Sequence, residues 1–133
     1  MYSSLWENTP HPSPSLSAED VVRLQLDALQ NNDLSKNNTG IRIAFRFASP
    51  ANRKATGPVD RFISLVKNPL YGPLIGFEQA TLENIRFVGN MAQQRVVVHR
   101  RNGDRATFIF TLSRQRDGAE KDCWMTDGVL RVG

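Results

Sequence analysis

Side chains able to do chemistry are few in this chain, and they are widely spaced. His11 and His99 are its two histidines and Cys123 its one cysteine. A Ser–His–Asp arrangement would have to use His99 as its base, and no G-x-S-x-G turn accompanies it. The spaced His/Cys pairs that hold zinc are missing, so neither a metal nor a cofactor is expected. Cys123 lies between Asp122 and Trp124, and neighbouring negative charge opposes a thiolate, so it reads as a small buried hydrophobe. No G-x-G-x-x-G or G-x-x-x-x-G-K-[ST] stretch cradles a phosphate. What is left is a loose set of candidate pocket residues: Arg46, Tyr71, Arg95, His99, Trp124 and Asp127. Arg46 and Arg95 would bind an anion, and His99 or Asp127 would act as a base. Tyr71, in a Gly/Pro-fixed turn, would close a pocket mouth, and Trp124 would supply an apolar wall. None of the six is expected to be catalytic.

Composition sets what can hold such a set together. The chain has 133 residues, enough for one domain and one core. With 40% hydrophobic and 23% charged residues it is an ordinary globular composition. No apolar run nears the ~20 residues of a membrane span. A lone cysteine fits a reducing compartment, which makes the cytoplasm the expected location. The net charge is +4, and thirteen of the seventeen cationic residues are arginine. Arginine suits paired recognition of carboxylates or phosphates. Internal ion pairing is the simpler use of them, because no run of five like charges marks a nucleic-acid tail.

Residues 1–16, MYSSLWENTPHPSPSL, form an expected disordered tail punctuated by Pro10, Pro12 and Pro14, with Leu5 and Trp6 as its large apolar groups. The folded domain is expected over 17–133. Ser17 with Asp20 makes a capping box, and Leu16 with Val21 a hydrophobic staple. Val21, Val22, Leu24, Leu26, Ala28 and Leu29 then give an apolar helical stripe through about Gln30, ended by Asn31, Asn32 and Asp33. After a polar loop from Ser35 to Thr39, a second helix is indicated by Ile41, Ala44, Phe45 and Ala48 and stopped by Pro50. SPANRKATGP reads as a loop. A third helix follows Gly57-Pro58, with Phe62, Ile63, Leu65 and Val66 as its buried face and Asn68-Pro69 as its end.

From Leu74 onward the period changes to two. Turn signals at Gly89-Asn90, Asn102-Gly103, Asp117-Gly118 and Asp127-Gly128 divide the rest into four or five strands. About three helices followed by a strand meander is an α+β arrangement, with helices on one face of a curved antiparallel sheet. A two-residue turn at Asn102-Gly103 would pair Arg101 with Asp104, His99 with Ala106, Val97 with Phe108 and Arg95 with Phe110. Both sheet faces would then be substantially apolar, and the helices cover only one. A second copy of the chain is the economical cover for the other, so a homodimer through the sheet is expected. Phe108 and Phe110 in RATFIFTL would also suit a base-stacking strand, but the glycine pattern of RNA-binding strands is missing and core packing explains them better.

The run GIRIAFRFASPANRKATGPVDRF, then PLYGPLI, LSRQ and CWMTDGV, resembles domain of unknown function 4864. That family is in turn similar to the nuclear-transport-factor-2-like (cystatin-like) superfamily. The resemblance spans about residues 17–132 and implies a cone of helices against a curved sheet, often dimeric through that sheet. The superfamily holds isomerase-like and dehydratase-like enzymes as well as ligand-binding and scaffold members. Its Asp/His and Asp/Tyr catalytic pairs have no identifiable counterparts in this sequence. The expected function is therefore a homodimeric, non-catalytic domain binding a small ligand or a protein partner. The alternatives are a small-molecule isomerase, dehydratase or hydrolase using the cone pocket, and then polyanion or nucleic-acid binding.

Overall fold

The computed structural model describes residues 9–33 and 37–133. Leu5, Trp6 and Ser35 lie outside them. Helix α1, Ala18–Gln30, starts where local chemistry directs it. The Ser17 hydroxyl accepts from the Asp20 amide at 3.0 Å, and the Asp20 carboxylate accepts from the Ser17 amide at 2.8 Å. Glu19 and Asp20 place negative charge at the positive end of the helix dipole. Its buried face holds Val21, Val22, Leu26 and Leu29, with one polar member, Gln25.

Helix α2, Thr39–Arg46, packs closely across α1. The crossing depends on Gly40, because a Cβ there would lie 1.9 Å from the Ala28 carbonyl oxygen. The expected loop over SPANRKATGP is instead largely helix α3, Pro50–Thr56. Pro50, read as a stop, occupies the first helical turn, where a missing N–H costs nothing. The Ser49 hydroxyl caps it by accepting from the Asn52 amide at 3.3 Å. Helix α4, Val59–Lys67, follows as expected, and Phe62 meets Phe45 of α2 with ring centroids 4.9 Å apart. A short 3-10 turn over Gly72–Leu74 leads into the sheet.

The sheet is antiparallel, with strands β1 Gln79–Leu82, β2 Arg86–Val88, β3 Met91–His99, β4 Arg105–Arg114 and β5 Trp124–Arg131. β1, β3, β4 and β5 lie side by side, and β2 also pairs with β3. Gly89-Asn90, expected as a turn, is a two-residue hairpin loop closed by Val88 opposite Met91. Two other turn signals resolve differently.

At Asn102-Gly103 the loop is one residue longer than expected. The Gly103 amide donates to the Arg100 carbonyl at 3.0 Å and the Arg100 amide to the Asp104 carbonyl at 2.8 Å. Gly103 has φ +90, whereas Asn102 is not among the positive-φ residues that a type I′ turn requires. Asn102 is held instead by its own side chain, whose oxygen accepts from the Asp104 amide at 2.9 Å. The pairing is therefore His99 with Arg105, Val97 with Thr107, Val96 with Phe108, Arg95 with Ile109 and Gln94 with Phe110. A shift of one residue exchanges faces. Val96 and Val98 join Phe108, Phe110 and Leu112 beneath the helices, each at most 1% exposed. Arg95, Val97 and His99 share the outer face with Thr107, Ile109 and Thr111. The two heavily apolar faces expected from the sequence are thus one apolar face and one mixed face.

Asp127-Gly128 is not a turn but lies inside β5. Thr111 pairs with Gly128 and Leu112 with Thr126, so Asp127 is the extra residue of a β-bulge.

Candidate functional site

A cavity of about 460 Å³ lies between the four helices and the β4–β5 side of the sheet. Its walls are mostly apolar: Leu29 from α1, Ala44 from α2, Phe62, Leu65 and Val66 from α4, Leu74, Phe110 and Val129. Ala55 of α3 is exposed to solvent as well as lining it, which marks the mouth. This is the shape and lining of a small-molecule site, with a few placed polar groups in an apolar hollow.

Those polar groups come from distant parts of the chain. Gln25, 5% exposed, donates its amide to the Ala44 carbonyl at 3.0 Å and accepts from the Thr126 hydroxyl. The Asn52 amide donates to the Thr126 carbonyl at 3.0 Å, and the Thr56 hydroxyl donates to the Asn52 carbonyl at 2.8 Å. These bonds follow from the segment between α2 and α3 running beside β5. There the Phe47 carbonyl accepts from the Thr126 amide at 2.7 Å, and the Ser49 amide donates to the Thr126 carbonyl at 2.8 Å. Tyr71 donates its hydroxyl to the Val129 carbonyl at 3.0 Å. Asp127, turned by the bulge, accepts from the Ser113 hydroxyl at 3.0 Å. It lines this cavity and also a second one of about 470 Å³, where Ser49, Ser113, Gln115, Asp117 and Glu120 stand.

Two of the six candidate residues, Tyr71 and Asp127, line the main cavity. The other four do not. Arg46 binds the N-terminal segment, donating to the Thr9 hydroxyl at 2.6 Å and the Pro10 carbonyl at 3.0 Å, with His11 Nε2 3.4 Å away. Burial holds its guanidinium below the ordinary value. Arg95 is opposite Ile109 rather than Phe110, and pairs with Glu83 at 3.3 Å on the outer face. His99 shares that face, its Nε2 3.5 Å from the Thr81 hydroxyl. The longer hairpin loop is what moves both residues away from the apolar face. Trp124 packs edge-on against Phe87 at 5.7 Å.

The sequence reading did not single out Gln25, although it is the one polar residue on the buried face of α1. Asn52, Thr56 and Thr126 carry no such signal, because the sequence indicates a loop where α3 stands. Phe108 and Phe110 are buried, so no base can stack on them. Arg53 ties α3 to Glu120, a residue of the second cavity. It forks onto Glu120 at 2.8 and 3.3 Å and also donates to the Arg46 and Ala48 carbonyls. Cys123 is buried, and desolvation, then the charges of Glu120 and Asp122, push its thiol upward. Among the described residues, no three His, Cys, Asp or Glu side chains are grouped to hold a metal ion.

The model of one family, a domain of unknown function (DUF4864), matches residues 14–132. The chain belongs to that family. No curated protein and no solved structure matches it. In this member of domain of unknown function 4864 the matched span begins just before the α1 cap and takes in every residue lining both cavities. No helix among the described residues is long and apolar enough to cross a membrane.

Proposed function

We propose that this protein is a non-catalytic domain that binds a small, largely apolar molecule between its helices and its sheet. The observation that carries this is the 460 Å³ hollow with apolar walls and polar groups gathered near β5. Helices closed over one face of an antiparallel sheet, with a hollow between, also suit a nuclear-transport-factor-2-like cone. Binding rather than turnover is favoured by the disposition of the polar groups. Tyr71 commits its proton to the Val129 carbonyl, and His99 stands on the opposite face. The Asp127 carboxylate is tied to the hydroxyl of Ser113, which lines the second cavity, and forms no acid–base pair with Tyr71 or His99.

The reading includes a homodimer formed through the outer sheet face and a cytoplasmic setting. Support for the dimer is narrower than two apolar faces would have been. It comes from Ile109 beside Leu130 and from Val88 beside Met91, of which Val88, Met91 and Leu130 are exposed. A sedimentation experiment at micromolar concentration is expected to show twice the 15.0 kDa chain; a monomer removes the dimer and leaves the cavity reading intact.

Calorimetric titration with 2-(1-naphthyl)ethanol, an apolar bicyclic with one hydroxyl, tests the cavity. Saturable binding is expected, weakened about tenfold or more in Ala55→Trp, which plugs the mouth from an exposed position. No binding up to millimolar concentration, or binding indifferent to Ala55→Trp, overturns the reading.

A further inference from the structure

We infer that the tip of the β3–β4 hairpin is a nucleic-acid contact, at which arginine side chains hold the phosphate backbone. The inference is independent of the cavity and its occupant. It starts from where the thirteen arginines go. Arg23, Arg42, Arg53 and Arg95 pair with carboxylates. Arg46, Arg61, Arg114 and Arg131 donate to backbone carbonyls. The side chains of Arg86, Arg100, Arg101, Arg105 and Arg116 are exposed and have no ion-pair or hydrogen-bond partner among the described residues. Internal pairing, the simpler use of the arginines, therefore stops short of these. Arg86 and Arg116 stand apart, in β2 and beyond the end of β4. Arg100, Arg101 and Arg105 flank a single turn.

The acid of that turn, Asp104, is held by Asn102, whose amide donates to it at 3.1 Å, and it joins no ion pair among the described residues. Across the ladder Arg105 faces His99, and His99 faces Gln79, so no carboxylate meets Arg105 from β3 or β1. Residues 100–104 lie past the last ladder pairs of β1 and β5, which leaves the tip clear of both neighbours. It is also at the far end of β3 from Met91, about 25 Å along the strand, so Val88 and Met91 stay available to a second copy. The composition of the tip selects among anionic partners. It carries no apolar side chain between Arg100 and Arg105. Protein partners are anchored by buried aromatic and apolar groups, and membranes by apolar insertion or longer basic segments. A phosphate backbone needs neither, because contact with cations releases its condensed counterions. Arginine's planar fork matches phosphate oxygens in pairs, and a two-stranded ribbon fits a duplex groove.

Fluorescence anisotropy with a labelled DNA duplex of about 20 base pairs tests this on the full chain. At about 50 mM salt, saturable micromolar binding is expected, with log affinity falling against log salt at a slope of about −3. Arg101→Gln/Arg105→Gln is expected to weaken binding at least about tenfold and bring the slope to about −1. Arg86→Gln/Arg116→Gln removes the same charge elsewhere and is expected to stay within about threefold of the unaltered protein. Equal weakening by the two pairs would mean that net charge alone attracts the duplex, and overturns the hairpin assignment. It is also overturned by no binding up to about 100 µM protein. Tighter binding of polyglutamate or of phosphatidylserine vesicles than of the duplex overturns it as well. All these positions are exposed; should the hairpin pair not fold, Arg100→Gln/Arg101→Gln is expected to show the same loss. The cavity reading stands or falls separately, on the naphthyl probe.

Discussion

The inner and outer faces of strands β3 and β4 are built from alternating residues of the same two segments, yet they do different work. Val96, Val98, Phe108 and Phe110 are buried beneath the helices, while Arg95, Val97, Thr107 and Ile109, each one position along, are partly or largely open. The inner face belongs to the same core as Val21, Leu26, Ile41 and Phe47. The outer face mixes Arg95, His99 and threonines with two aliphatic side chains. The contrast shows how much depends on a single backbone choice. A hairpin loop of three residues rather than two decides which set is roofed by helices and which meets solvent or a partner.

The sharpest way to break this comparison is to truncate neighbours on opposite faces. Phe108→Ala is expected to cost about 3–5 kcal/mol in urea unfolding, because the ring is fully buried and leaves a cavity. Thr107→Ala, on the outer face, is expected to stay within about 0.5 kcal/mol. Equal losses would mean that the register is wrong. A second test attacks the roof itself. Gly40→Ala puts a methyl group 1.9 Å from the Ala28 carbonyl oxygen, so α1 and α2 must separate. A loss of about 3 kcal/mol is expected, at the upper end for overpacking because the obstacle is backbone. A neutral effect would show that the helices slide freely over the inner face. The smallest effect belongs to the outer face. Arg95→Ala, removing the half-exposed pair with Glu83, is expected to change stability by less than about 1 kcal/mol, and 1 M salt should shrink that difference. A larger, salt-independent loss would mean that the Arg95–Glu83 pair is sealed inside the dimer interface rather than left at its rim.

How legible each region was depends on the range of the interactions that shape it. The start of α1 was readable to the residue, because Ser17 and Asp20 bond to one another's backbone within three positions. The Gly89-Asn90 hairpin was readable for the same reason. Asn102-Gly103 looked like a stronger signal of the same kind. Asparagine serves equally well with its side chain bonded two residues ahead, and that alternative added the third loop residue. Pro50 was ambiguous in a similar way, since proline ends one helix and begins another with the same fixed φ. Asp127-Gly128 has turn composition, but the neighbouring strand β4 holds it in the sheet as a bulge.

The site was less legible than the fold. Of its polar members, Tyr71 and Asp127 stand out by chemical type alone, and Arg95 and His99 stand out equally and lie elsewhere. The bond between Thr126 and Gln25 joins residues 101 apart in the chain. Nothing near either residue announces the other.

By itself the amino-acid sequence determined the order of this protein, helices before strands, and most of its elements, helix α3 excepted. Capping pairs, apolar periods and most turn signals act over a few residues, and their energies are local. It also determined that the chain belongs with domain of unknown function 4864, through runs such as AFRFASPANR. Only the tertiary structure decided which sheet face is covered and which side chains meet in the hollow. Those outcomes turn on a one-residue register, a bulge that aims Asp127, and the approach of α1 over Gly40, each set by contacts between segments far apart in the chain.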